Sequence, residues 1–161
     1  MERIKELSRS EDAPGLYTEN IEILYSDSAI VRFKLNAPIM VKFDQDPKDP
    51  FTEFPNGINI KRYNTEMEVT TNITADYARQ FTNEDKWLAR NNVVVVNIQG
   101  DSLRTEELYW DQKKEKIYTE KFVTIITKDR IINGIGMHSD QEMNNIAVIN
   151  ITGIIYLEVE E

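Results

Sequence analysis

Asp44, Asp46 and Asp49 stand close together in the stretch DQDPKDP. Clustered carboxylates are the oxygen ligands a calcium ion takes, but a dedicated calcium loop also carries a turn glycine and a closing glutamate. Neither follows here, so the stretch reads as a solvated acidic loop. Glu106 and Glu107 offer two carboxylates side by side. Neighbours on a strand point to opposite faces, so by themselves they cannot flank a glycosidic bond. His138 is the only histidine, and there is no cysteine. A lone imidazole suits neither a His-rich metal site nor a Ser–His triad, and without thiols there is no thiolate zinc site, disulfide or cysteine nucleophile. His138 therefore reads as a surface or packing residue. Trp87 and Trp110 could stack on sugars, which keeps a glycan-binding β-sandwich as a rival reading. No constellation for catalysis emerges, and the expectation is a protein that is not an enzyme and uses no cofactor or metal.

The elements that position these residues belong to one domain. A chain of 161 residues buries roughly 70% of its unfolded surface in a single core. Nineteen basic residues against 28 acidic ones give a net charge of −9, the opposite of a nucleic-acid footprint. No apolar run approaches the roughly eighteen residues of a membrane span, and the opening residues are not expected to be a signal peptide. Met1 runs directly into ERIKELSRSED, which reads as a chain trimmed of an anchoring or targeting segment.

Residues 2–9 suit two helical turns, with Ile4 and Leu7 on one face, and Pro14 and Gly15 end them. From Thr18 the helical period disappears. Ile21, Ile23 and Tyr25 alternate, as do Val31, Phe33 and Leu35, and IMVKF follows. Then come NGINIKRY, MEVTTNITADYARQF, KWLARNNVVVVNI, DSLRTEELYW, EKIYTEKFVTII, DRIINGIGMHS and NIAVINITGIIYLEV, parted by polar turns. Many short strands at 8–12-residue spacing mean an all-β sandwich, barrel or roll.

A repeat runs through the second half. Ile73, Leu103 and Ile132 open matching strands at spacings of 30 and 29 residues. Val93, Val123 and Ile154 open second strands 20, 20 and 22 residues later. The expected unit is a strand, a polar turn and a second strand. Such a unit cannot bury its apolar face alone, so stacked units share one core.

The stretch WLARNNVVVVNIQGDSLRTEELYWDQKKEKIYTEKFVTI resembles the core signature of the LptC family and its LptA/OstA-like relatives, with Ala89, Val93, Gly100, Leu103, Thr105, Leu108, Trp110, Asp111 and Val123 in the family's slots. Asn91 stands where the family usually has glycine. ENIEILYSDSAIVRFKLNAP fits the family's opening strands, and the likeness covers about residues 18–156. The resemblance implies a repetitive antiparallel β-jellyroll, or β-roll, of two facing sheets with open edges. It also implies a stalk over 1–17, a jellyroll domain over 18–161, and a periplasmic chain anchored to the inner membrane. The implied task is to accept lipopolysaccharide from the inner-membrane ABC exporter and pass it to an LptA-like partner. Head-to-tail self-association of the chain is a further expectation, and a soluble LptA-like bridge is the rival within the family.

Lipid transfer sets a physical requirement. Exposed acyl chain costs about 0.8 kcal/mol per CH₂, so a carrier must offer a continuous apolar trough. Alternation puts Ile73, Ala75 and Tyr77 on one face, and likewise Trp87 with Ala89, Val93 with Val95, and Leu103 with Thr105. These nine are the expected trough face. Small residues at core slots (Ala75, Ala89, Thr105, Gly134, Gly136) are expected to leave room for lipid. The final strand, with Ile154, Ile155, Tyr156 and Leu157, is expected to be an unpaired edge onto which the LptA-like partner docks.

Overall fold

The computed structural model describes residues 15–158; the helical turns expected over 2–9 lie outside them. One antiparallel sheet of 11 strands makes up nearly the whole fold. The strands are β1 (Leu16–Asp27), β2 (Ile30–Phe43), β3 (Phe51–Phe54), β4 (Ile58–Tyr63), β5 (Val69–Ala75), β6 (Tyr77–Phe81), β7 (Lys86–Asn97), β8 (Ser102–Asp111), β9 (Lys116–Ile126), β10 (Arg130–Asp140) and β11 (Ala147–Tyr156). A short 3₁₀ turn, Thr82–Glu84, separates β6 from β7. The expected all-β jellyroll is the observed class.

Two long strands give the sheet its roll. The first half of β7 pairs with β6 and its second half with β5. β2 likewise pairs with β4 along Phe33–Asn36 and with β3 along Val41–Phe43. Pairings β4–β5 and β3–β6 complete a hydrogen-bonded ring, β2–β4–β5–β7–β6–β3. Two wings leave it: β1 on the free side of β2, and β8, β9, β10 and β11 in order beyond β7.

β7 bends where Asn91 and Asn92 adopt φ of 67° and 52°, at a shift of register against β8. The ladders β8–β9 and β9–β10 shift alongside, between Thr105 and Tyr109 and between Ile135 and Met137. Aligned irregularities of this kind bend neighbouring strands together, which lets one sheet supply two facing layers.

Alternation then fills the interior. Ile23, Leu35, Ile60, Ile73, Val95, Leu103, Ile125, Ile132 and Ile154 stand opposite one another in register, from β1 to β11. Leu35 through Ile125 of that row are buried; Ile23 and Ile132 are half-buried, and Ile154 is exposed. Ile73, Leu103, Ile132 and Ile154 of the sequence repeat share that row, whereas Val93 and Val123 lie two residues off it, each opposite Thr105. Their pairing differs from a simple hairpin count: Ile73 faces Val95, and Leu103 faces Ile125. The first unit is also interrupted, because β6 and the 3₁₀ turn lie between its two strands.

Sequence alternation missed two features. The segment IVRFKLNAPIMVKF is one strand, β2, rather than two, and FTEF, to which the alternation assigned no element, forms the short strand β3.

Candidate functional site

Eight of the nine expected trough residues line or adjoin the interior. Ile73, Ala75, Trp87, Val93, Val95, Leu103 and Thr105 are buried, and Ala89 packs against the same cluster. Tyr77 is placed otherwise. The strand breaks at Asp76, whose N–H donates to the carbonyl of Asn91 at 2.9 Å. That break resets the alternation, so Ala78 is the buried residue of β6. Tyr77 instead donates its hydroxyl to Glu53 at 2.6 Å and accepts from Arg79 Nε at 3.1 Å. Burial, and then the bond to Glu53, raise the Tyr77 pKa above its ordinary value.

The interior is filled at its middle, while larger open spaces of about 710 Å³ beside Ala37, Ile58 and Ala75 and about 360 Å³ beside Ile125, Ile132 and Met143 adjoin its rims. The enclosed space among Ile60, Ala78, Ala89 and Leu108 amounts to about 20 Å³, room for about one water molecule. Gly134 and Gly136 do not leave room for lipid. A Cβ on Gly134 would collide with Val148 Cγ1 and come within 2.8 Å of the carbonyl oxygen of Asn150, and one on Gly136 would touch Ile149 Cδ1 at 3.0 Å. Their smallness serves the close approach of β11. An acyl chain enters this interior only where side chains or strands move apart.

Aromatic rings close one end. Phe33 stacks on Tyr25 at 4.2 Å between centroids and meets Trp110 edge-on at 5.2 Å. Trp87 lies parallel to Phe54 and Trp110 at 5.8 and 6.0 Å. Trp87 and Trp110 are only 3% and 4% exposed, and a sugar stacks only on an open ring. The observation that favoured a glycan-binding sandwich is thereby removed. Each indole N–H donates to a glutamine, Trp87 to Gln112 Oε1 at 2.9 Å and Trp110 to Gln141 Oε1 at 3.1 Å.

Gln141 belongs to the loop between β10 and β11, a segment with no local sequence signal for what it does. The loop reaches across to the ring. Thr71 of β5 donates to the Gln141 carbonyl at 3.1 Å, and Asn97 of β7 donates to the Met143 carbonyl at 2.9 Å. Met143 is 1% exposed and part of the core cluster. Arg62 of β4 pairs with Glu142 at 3.2 Å. Arg62 shares the parity of Ile58 and Ile60 in NGINIKRY, so the alternation used for the apolar residues could have found this inward-facing cation.

The other chemically suggestive residues are on the outside. Asp44, Asp46, Asp49 and His138 are exposed, and no cluster of three or more His, Asp or Glu stands in metal-binding geometry among the described residues. Asp46 accepts the Lys48 N–H at 2.9 Å within its own turn. Glu106 accepts the Asn92 N–H at 3.0 Å and so supports the bend of β7.

The final strand and the residue after it carry a run of exposed apolar side chains. β11 pairs with β10 on one side, and no other described strand pairs with it. Ile149, Ile151, Ile154, Ile155, Tyr156 and Leu157 are all exposed, Tyr156 by 72%.

A family model described as LptC, lipopolysaccharide-assembly, LptC-related, matches residues 2–156. No curated protein matches the chain. Among the described residues no helix is long and apolar enough to cross a membrane.

Proposed function

The chain belongs to the lipopolysaccharide-assembly, LptC-related family, with a role in lipopolysaccharide transport, and from that premise we propose that it is a periplasmic transfer component with no catalytic step. It accepts lipopolysaccharide from the inner-membrane ABC exporter, shelters the acyl chains between its two layers, and hands them to an LptA-like bridge across the β11 edge. The native protein is held at the inner membrane. The observation that carries this reading is the apolar row that crosses the sheet from Ile23 and ends at Ile154 on an open edge. A row of that kind gives the acyl chains apolar contact along its length. Its end at a strand with one free edge lets a partner's sheet continue it, because strand addition joins two sheets through main-chain hydrogen bonds.

The energetics allow it. One acyl chain of a dozen carbons gains on the order of 10 kcal/mol by leaving water, enough to offset some loosening of side-chain packing. A photo-crosslinker at Val95 or Thr105, both inside, should capture lipopolysaccharide in cells, whereas one at the exposed Glu106 should capture much less. Equal capture at all three positions would refute the lipid path.

A further inference from the structure

We propose that Arg62 is a receptor for the anionic group of an amphiphile, and that Glu142 occupies it as a built-in substitute until the ligand displaces it. This rests on the carrier reading above and adds to it the polar end of the ligand.

Arg62 is the one charged residue on the inward parity of β4, two positions beyond Ile60. Its side chain is only 11% exposed, and its Cζ lies 6.0 Å from the centre of the Trp110 ring. An arginine placed among Phe33, Trp110 and Tyr25 loses hydration that must be replaced, so it needs an anion. Glu142 supplies one at Nη1, but the buried Nε has no hydrogen-bond partner. A guanidinium binds a phosphate or carboxylate best through two parallel N–H groups, so the present pairing leaves part of the fork unused.

The space beside it suits an incoming group. A cavity of about 410 Å³ is bounded by Arg62, Tyr25, Arg32, Trp110, Gln112 and Gln141. An indole N–H only donates, so each tryptophan fixes its glutamine with the carbonyl oxygen toward the ring. That leaves the amide NH₂ of Gln112 and Gln141 as donors in the wall of the cavity. Asp27 and Glu115 also border it and oppose an anion, though both are exposed and therefore screened by solvent and salt. The apolar row passes alongside: Leu35 and Ile60 stand opposite each other two pairings away from Phe33 and Arg62 in the β2–β4 ladder, on the same inward face. An amphiphile with its chain between the layers would therefore carry its anionic group to Arg62. Exchange of Glu142 for that group also frees the loop that holds Met143 in the core, which couples recognition of the head to admission of the chain.

The test titrates dodecyl phosphate and neutral dodecyl glucoside, below their micelle concentrations, into the protein and follows tryptophan fluorescence. The wild-type protein should bind the phosphate on the order of tenfold more tightly, the size of one charge-assisted hydrogen bond. Arg62→Met should bind both alike, and Arg62→Lys should keep part of the preference. Glu142→Gln should bind the phosphate several-fold more tightly than wild type, with a smaller gain for the glucoside from the freed loop, and it keeps the test decisive if Arg62→Met fails to fold. Equal binding of both amphiphiles by the wild type, or no gain in Glu142→Gln, overturns the receptor and leaves the carrier reading intact. Binding of neither amphiphile overturns both.

Discussion

Gly100 sits at φ 87° in the turn from β7 to β8, where its N–H donates to the Asn97 carbonyl at 3.0 Å. Nothing lies within 4 Å of the place a Cβ would take, so a larger side chain there meets backbone strain and no steric wall. Gly100→Val should cost about 1–2 kcal/mol and lower the melting temperature by a few degrees. Gly134→Val should cost more, because its Cβ would strike both Val148 and the backbone of Asn150. A thermal melt that ranks the two variants the other way would contradict this account. The turn at Gly100 was legible in the sequence, since glycine tolerates positive φ, and Asn91, standing where the family usually has glycine, keeps that left-handed backbone. Tyr77 was not legible. Alternation carried through from Ile73 assumes an unbroken strand, and the hydrogen bond from Asp76 to Asn91, fifteen residues away, breaks it. Arg62 was legible by parity, but its partner Glu142 lies eighty residues on and left no trace in the local pattern.

Strand elements were legible where both ends carried turn residues, as in β8, β9 and β10. β2 was read as two because Pro38 falls within it; there the strand changes partner from β4 to β3, and proline lacks the N–H that a continuous ladder would need. β11 was read as an edge, and it is the last strand of its wing. Its use in docking is the proposal tested here. Successive N–H groups of a strand point to opposite sides, so of Ile154 and Ile155 one donates toward β10 and the other outward. Proline at the outward position removes a docking donor and leaves the β10 ladder whole, whereas proline at the other weakens the fold. Of Ile154→Pro and Ile155→Pro, the one that keeps the wild-type melting temperature should fail to retain an LptA-like partner in a pull-down. Truncation of residues 152–161 should lose the partner too, with most of the sheet still folded. Retention at wild-type strength by a folded variant of either kind would mean that the partner binds elsewhere.

At the scale of the whole molecule, the two kinds of strand answer differently to the need for space. The ring β2–β4–β5–β7–β6–β3 closes on itself, so widening it breaks main-chain hydrogen bonds. The wing from β8 to β11 is held to the ring along β7 alone, apart from side-chain contacts and the latched loop at Gln141, Glu142 and Met143. Swinging the wing outward costs packing but few ladder bonds. The interior is therefore expected to open between wing and ring. Local opening free energies in such a fold run from near zero at an edge to the global value in the centre. Amide hydrogen exchange of the free protein should be fastest in β11 and β1 and slowest in β7, where both sides are paired. With amphiphile bound, exchange should rise in residues 141–146 and at the β10–β11 pairing, while β2, β4, β5 and β7 keep their protection. A uniform rise across all strands would show that the ring itself opens, and the wing would then be only its outer support.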